Sequence, residues 1–114
     1  MEFGELLKQF LIDLQCLFRT QLKHLNLTLP QIMLISSIPI DGIDMTSLSR
    51  KLGIDNSTLT RLIRILLENG IVKKTSNPID KRSIIVSLSR KGESLQLKIA
   101  LVIHQIPYLY ITNN

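Results

Sequence analysis

The sequence predicts a mainly helical α+β domain, in which helices at both ends flank a helix-turn-helix and a small β-hairpin. Apolar residues recur at spacings of three and four near both ends and in the middle, which predicts amphipathic helices. Two short β-branched segments, separated by a polar turn, follow the middle helices. With 114 residues, of which 45% are hydrophobic, the chain has enough apolar material for one domain with its own core.

The first two helices are defined by an apolar stripe and a cap. Residues 3–25 predict a long amphipathic helix, because apolar side chains lie at alternating intervals of four and three along it. Thr28 is the predicted N-cap of a second helix over residues 30–38, with Pro30 in its first turn and its end before Pro39. Asp41-Gly42 then predicts a turn.

Two short helices follow in the middle of the chain. Residues 46–52 predict a helix that ends at Gly53, the expected C-cap, and Asp55 is expected to cap the next helix, residues 56–69. The second helix has one apolar side and one polar, basic side. Two short helices joined by a tight glycine turn predict a helix-turn-helix, with an ordinary helical hairpin as the alternative.

A β-hairpin is predicted next, with strands over residues 71–75 and 83–88. Pro78, Lys81 and Arg82 lie in the polar loop between the strands, and a hairpin directly after a recognition helix is a wing, here residues 75–83. Ser89 is expected to cap a last helix that begins at Arg90, is nearly all apolar over residues 99–106, and meets Pro107.

The charge is concentrated in the same middle region. Residues 46–92 contain ten lysines and arginines against three acids, a net charge of +7, whereas the rest of the chain has a net charge of −2. All aromatic side chains lie outside this region, at Phe3, Phe10, Phe18, Tyr108 and Tyr110. The pattern predicts an anionic partner for the middle and oligomerisation through the ends, although a basic surface could also serve solubility alone.

In order and spacing these segments resemble the MarR family of winged-helix transcriptional regulators. The matching text is Leu29-Pro30-Gln31, Leu48-Ser49-Arg50-Lys51-Leu52-Gly53, Ser57-Thr58-Leu59-Thr60-Arg61-Leu62, Leu67-Glu68-Asn69-Gly70-Ile71-Val72, Asn77-Pro78-Ile79-Asp80-Lys81-Arg82 and Val86-Ser87-Leu88-Ser89-Arg90-Lys91-Gly92. The resemblance implies a single winged-helix domain over residues 1–114, with the helix-turn-helix and wing in residues 28–92.

It further implies a homodimer, in which the N-terminal helix (residues 1–26) and C-terminal helix (residues 90–114) of both chains interlock. Helix 56–69 would enter the major groove of double-stranded DNA, with the wing near the adjacent minor groove. The expected function is that of a repressor on a pseudo-palindromic operator. A small phenolic or other lipophilic effector would bind between the dimerisation and DNA-binding parts.

Arg61 and Arg64 are the predicted base contacts, because arginine can engage guanine bidentately; the alternative is surface arginines with packed stems. Small polar side chains near the helix start are expected to contact DNA or to serve only as caps: Ser57, Thr58 and Thr60. Phosphate contacts are predicted for the preceding helix at Thr46, Ser47 and Ser49. In the wing, Lys81 and Arg82 are predicted cations for DNA, although Arg82 could equally pair with Asp80 and brace the loop, and Lys73 and Lys74 are expected to be solvated.

Two departures from the family support an alternative function. Ile79 stands where the family's wing has its tip arginine, with Lys81 for the next arginine, and family members usually continue into another dimerisation helix. These differences favour a shortened winged-helix protein-interaction module that pairs with another regulator and binds DNA weakly or not at all. RNA binding is disfavoured because no aromatic residue interleaves with the basic region.

Other chemistries find little support in the sequence. Cys16 cannot form an internal disulfide, which favours the cytoplasm, and we expect packing rather than peroxide sensing from it because only Arg19 and Thr20 lie at helical spacing. His24 and His104 provide no metal-ligand spacing, and no catalytic constellation or cofactor motif is present. The uncharged stretches 24–40 and 99–114 are shorter than the ~20 residues of a membrane helix.

Overall fold

Five α-helices and a three-stranded antiparallel sheet form the fold in a computed structural model, which describes residues 2–113 and the side chains of residues 2–105. The elements in chain order are α1 (Phe3–Gln21), α2 (Leu29–Ser37), β1 (Ile43–Asp44), α3 (Met45–Leu52), α4 (Asn56–Glu68), β2 (Val72–Ser76), β3 (Ile84–Leu88) and α5 (Arg90–Asn113). The predicted fold class is confirmed. No helix in the described part of the chain combines the length and apolar character needed to cross a membrane.

The start of α2 is fixed by a reciprocal cap. The Thr28 hydroxyl accepts a hydrogen bond from the Gln31 backbone N–H at 3.3 Å, and the Gln31 side chain accepts one from the Thr28 N–H at 2.9 Å. This capping box satisfies two donors that a helix start leaves without partners. The predicted cap is therefore right, and the helix begins at Leu29, one residue earlier than predicted.

The first helix ends before its apolar pattern does. We predicted a helix through residue 25, but α1 ends at Gln21 and a 3₁₀ turn, Lys23–Leu25, follows it. Asn26 then adopts the left-handed conformation with φ of 55°, a geometry that asparagine tolerates better than most residues. The chain is thereby redirected towards α2.

The sheet has the order β1-β3-β2, so that β3 is its central strand. The two-residue strand β1 was not predicted; Ile43 pairs with Val86 and Asp44 with Ile85. Before it, Gly42 has a φ of +84°, and an added Cβ there would lie 2.8 Å from Ile85 Cγ2. Only glycine fits this turn without displacing β3.

The core lies between α2, α3, α4, the sheet and the first half of α5. Its fully buried side chains include Leu34, Ile35, Leu48, Leu59, Ile63, Leu66, Val86 and Ile99. In contrast, α1 has no buried residue. The Cα radius of gyration is 16.1 Å, above the ~13 Å of a compact 100-residue domain. The protein is therefore elongated, with extents of 51 × 30 × 20 Å.

Candidate nucleic-acid interface

The helix-turn-helix is built by two capped helices. Asp44 caps α3 by accepting a hydrogen bond from the Ser47 N–H at 3.0 Å, and Gly53 ends that helix with a φ of +67°. Asp55 caps α4 through the Thr58 N–H at 2.7 Å. The predicted roles of Gly53 and Asp55 are confirmed. Asp44 was missed, because we placed the start of the helix at Thr46 rather than Met45.

Both capping aspartates are held in their charged form. Hydrogen bonds from the Thr58 N–H and hydroxyl, with a contribution from the positive charge of Arg61, lower the pKa of Asp55 below its usual value. Hydrogen bonds from the Ser47 hydroxyl and N–H likewise lower the pKa of Asp44. The negative charges sit at the positive ends of the two helix dipoles, where they stabilise the motif.

Helix α4 separates an apolar side from a polar, cationic side. Leu59, Ile63 and Leu66 are buried, while Leu62 and Leu67 are half-buried. The opposite side is exposed to solvent and carries Ser57, Thr60, Arg61 and Arg64. Within the described residues neither arginine takes part in a salt bridge, so both guanidinium groups are free to meet an anion.

The remaining predicted contacts differ in accessibility. Thr46 is exposed. Ser47 and Thr58 are half-buried, and their backbone N–H groups donate to the capping carboxylates of Asp44 and Asp55. Ser49 is only 8% exposed, and its hydroxyl donates to the Thr46 carbonyl at 2.9 Å. The expectation that Ser49 contacts phosphate is therefore corrected, because it lies on the inward side of α3.

The wing projects beyond the core as a pinned loop. After Val72 every residue of β2 is exposed, including Lys73 and Lys74. The loop is closed by hydrogen bonds from the Asn77 N–H to the Ser83 carbonyl (3.1 Å), from the Asn77 amide to the Ser83 hydroxyl (3.2 Å) and from the Ile79 N–H back to the Asn77 side chain (3.0 Å). These bonds close the base of the loop and brace its tip.

The two predicted wing cations have different environments. Arg82 lies 3.6 Å from the Asp80 carboxylate, which also accepts its backbone N–H at 3.1 Å, so the bracing geometry is the one observed. The Arg82 side chain is nonetheless 95% exposed. Lys81 is exposed without a salt bridge among the described residues, and Ile79 at the tip is 95% exposed.

An open groove lies between the end of α2, the end of α3 and the middle of α5. It has a volume of about 640 Å³. Ile38, Leu97, Ile103 and Ala100 supply apolar surface, and polar groups come from Lys51, Glu93, Gln96 and His104. Sequence reasoning did not find this groove, because its walls are up to 68 residues apart in the chain.

The remaining sequence candidates do not assemble into a site. Cys16 is exposed on α1, so the single chain does not provide the packing predicted for it. No group of three or more metal-ligating side chains occurs in the part of the chain that the structure describes. Tyr108 and Tyr110 lie outside the residues whose side chains are described.

A helix-turn-helix followed by a projecting two-stranded wing defines a winged helix-turn-helix protein. Residues 27–84 match the model of the MarR family. The chain therefore belongs to the MarR family. It is 32% identical over 80 residues, 69% of this chain and 56% of the relative, to the multiple antibiotic resistance protein MarR of Salmonella typhimurium.

Solved structures agree over nearly the whole chain. The apo form of wild-type MarR from E. coli superposes with a TM-score of 0.89 at 26% identity, covering 100% of this chain and 85% of that one. A mutant of the same protein complexed with operator DNA gives a TM-score of 0.82 at 27% identity, covering 97% and 80%. The chain spans roughly half the length of the curated relatives that it matches, 46% and 56%.

Proposed function

We propose that this protein is a transcriptional regulator that binds double-stranded DNA as a homodimer, with α4 in the major groove and the wing near the minor groove. The observation that carries the proposal is the exposed side of α4, where neither Arg61 nor Arg64 forms a salt bridge among the described residues. A helix in the major groove presents such side chains to guanine edges, while cations elsewhere attract phosphates.

The charge and the relatives support the same function. The net charge of +7 in residues 46–92 coincides with α3, α4 and the wing. One structural relative was solved with operator DNA. In this proposal the dimer represses transcription by occupying its operator, because a protein bound over a promoter excludes RNA polymerase from it.

Dimerisation is proposed through α1 and α5. Apolar side chains along the first half of α1 are more than half exposed, including Phe3 at 78% and Phe10 at 56%, and on α5 Leu97 is 62% exposed. A monomer would leave this apolar stripe in water, whereas a second copy would bury it. Two copies related by a two-fold axis would read a pseudo-palindromic site.

The experiment is selection of bound sequences from random duplex DNA, followed by titration of the selected duplex at several salt concentrations. We expect inverted half-sites, and an affinity that falls steeply with salt because neutralised phosphates release counterions. Recovery of no enriched sequence, or an affinity independent of salt, would contradict the proposal.

We further propose that the groove beside Gln96 binds a small phenolic or other lipophilic effector. Its volume of about 640 Å³ lies within the range of small-molecule sites, ~300–1,000 Å³. Apolar walls would cover a ring, and Lys51 or His104 would meet a hydroxyl. Phenol and naphthol should raise the melting temperature and change DNA affinity, and both effects should weaken on Ala100→Trp, which fills the groove.

A protein-interaction module is the second candidate function. It is favoured by the apolar wing tip, where Ile79 is 95% exposed, and by the engagement of Arg82 with Asp80. Sedimentation of the pure protein with and without duplex DNA separates the two functions. A dimer that shifts on adding DNA supports the regulator, whereas a monomer that ignores every duplex supports the module.

A further inference from the structure

The carboxyl end of α2 is held by donors from two other helices. The side-chain amide of Gln96, on α5, donates to the Ile35 carbonyl at 2.9 Å and to the Ile38 carbonyl at 2.8 Å. The ammonium of Lys51, at the end of α3, donates to the Ser37 carbonyl at 2.9 Å. The last carbonyls of a helix lack partners within it, so these bonds satisfy Ser37 and Ile38 and give the Ile35 carbonyl a second donor besides the Ile38 N–H.

The Gln96 contact is a tie between distant parts of the chain, since its two acceptors lie 61 and 58 residues away. Both amide protons are used, and the orientation of the amide is fixed because carbonyl oxygens can only accept. On its other sides α2 packs against α3 and α4. Gln96 therefore connects α5 to the support of the helix-turn-helix.

A second anchor holds the first turn of α5. Lys91 donates to the Asn69 carbonyl at 2.9 Å, and the Ser89 hydroxyl to the Gly70 carbonyl at 2.6 Å, both directly after α4. A helix held at one point can change its angle about that point, whereas contacts at two separated points restrict the angle. Lys91 and Gln96 are about 7.5 Å apart along the helix axis. Together with the packing of the buried Ile99, these two contacts restrict the angle between α5 and α4.

We propose that Gln96 is a positioning residue that sets the separation of the two recognition helices in the dimer, and with it the half-site spacing that the protein accepts. The inference rests on the proposed function, in which α5 lies at the dimer interface and α4 reads DNA. Without the Gln96 tie, only the apolar packing around Ile99 and the anchor at Lys91 hold α5 against the helix-turn-helix, so the angle between α5 and α4 is less tightly restricted. The protein then binds its best spacing less tightly and discriminates less between spacings.

The test compares Gln96→Met, which keeps the length and removes the donors, with Gln105→Met, the same change at an exposed position of α5. The probes are the duplex selected by the wild type, its versions with one or two base pairs inserted or deleted between half-sites, and a single half-site. Each base pair changes the separation by about 3.4 Å and the phase by about 36°.

We expect Gln96→Met to lower the preference for the selected spacing over its two-base-pair variants by about fivefold or more, a common strength of coupling between two sites. Affinity for the single half-site, read by one α4, should stay unchanged. Gln105→Met should keep the wild-type preference among half-site spacings. Gln96→Lys, which restores a donor, should recover part of that preference. Since ratios between duplexes are compared, a smaller folded fraction does not alter the result.

A merely structural role for Gln96 gives a different outcome. Gln96→Met would then lower the melting temperature and leave the ratios between spacings unchanged, which overturns the proposal. The proposal is also overturned if Gln96→Met loses as much affinity for the single half-site as for the selected duplex. Failure of the wild type to bind any duplex would instead refute the proposed function, so the two failures are distinguishable.

Discussion

The α-carbon of Gly92 lies against the backbone carbonyl of Ile71, in a position where a Cβ atom would overlap the oxygen. The same carbonyl accepts the Ser89 N–H at 2.9 Å and lies 2.9 Å from the Ser89 hydroxyl oxygen, whose one proton is shared between this carbonyl and that of Gly70. The first turn of α5 is thus closed onto the residue that precedes β2. This junction is possible only because residue 92 has no side chain, and it sets the path of α5 away from the sheet.

We expect Gly92→Ala to destabilise the protein by about 1–3 kcal/mol, because backbone must move to admit the methyl group. The melting temperature should fall by about 4–8 °C per kcal/mol. Gly4→Ala is the control, since an added Cβ there meets nothing within 4 Å. The measurement is thermal unfolding of both variants, and a wild-type melting temperature for Gly92→Ala would contradict the overlap.

The cap at Asp55 predicts a pH-dependent contribution to stability. Its pKa is lowered in the folded chain by the Thr58 N–H and hydroxyl, so the charged carboxylate stabilises the fold above the unfolded pKa and loses this effect as the pH falls through the folded pKa. Asp55→Ala should therefore unfold at a lower temperature than the wild type at neutral pH. The difference should shrink below about pH 4.

Asp55→Asn is the matched control for that experiment. Asparagine is as good an N-cap as aspartate and carries no charge, so its small difference from the wild type should reflect the charge alone. If the difference in melting temperature between Asp55→Ala and the wild type stays constant from neutral pH to pH 3, the carboxylate charge does not contribute to stability.

Local signals in the sequence were sufficient for three of the caps, although not for the cap at Asp44 or the end of α1. Thr28, Gly53 and Asp55 were each found from their residue type and position, because capping depends on atoms within three residues. The same locality explains why the helix-turn-helix and the wing were recognised in their order.

Features that depend on distant partners were missed. The strand β1 has only two residues, and it exists because Ile43 pairs with Val86, 43 residues away. The tie from Gln96 to α2 spans about sixty residues and has no signature in the sequence around it. Ser49 was misjudged for a related reason, since the inward direction of α3 is set by its packing on α2 and α4.

Arg61→Ala should weaken binding to the selected duplex more than binding to random DNA. A bidentate contact to guanine contributes about 1–3 kcal/mol of base discrimination, and about 1.4 kcal/mol corresponds to a tenfold change in affinity. Titrations of both duplexes measure the difference. Arg19→Ala, which removes the same charge from α1, should leave the ratio unchanged; equal losses on both duplexes for Arg61→Ala would exclude base readout.

Ile79→Arg should raise DNA affinity, because it places a cation at the tip of a loop that is already pinned by Asn77. One additional phosphate contact steepens the dependence of log affinity on log salt by about 0.9. Ile79→Gln provides the control, since it removes the apolar side chain without adding charge. If glutamine and arginine raise the affinity equally, the effect arises from loss of isoleucine and not from electrostatics.

Phe10→Glu tests the proposed dimer interface at a position that does not contribute to the core of the single chain. Phe10 is 56% exposed on α1, outside the core, so the variant should keep its helical circular dichroism and sediment as a monomer. Gln9→Glu adds the same charge at the neighbouring exposed position and should remain a dimer. Two linked recognition helices bind DNA about 10²-fold or more tightly than one. Phe10→Glu should therefore lose about this factor in affinity for the selected duplex and keep the wild-type affinity for a single half-site. A Phe10→Glu variant that stays dimeric would place the interface elsewhere on the molecule.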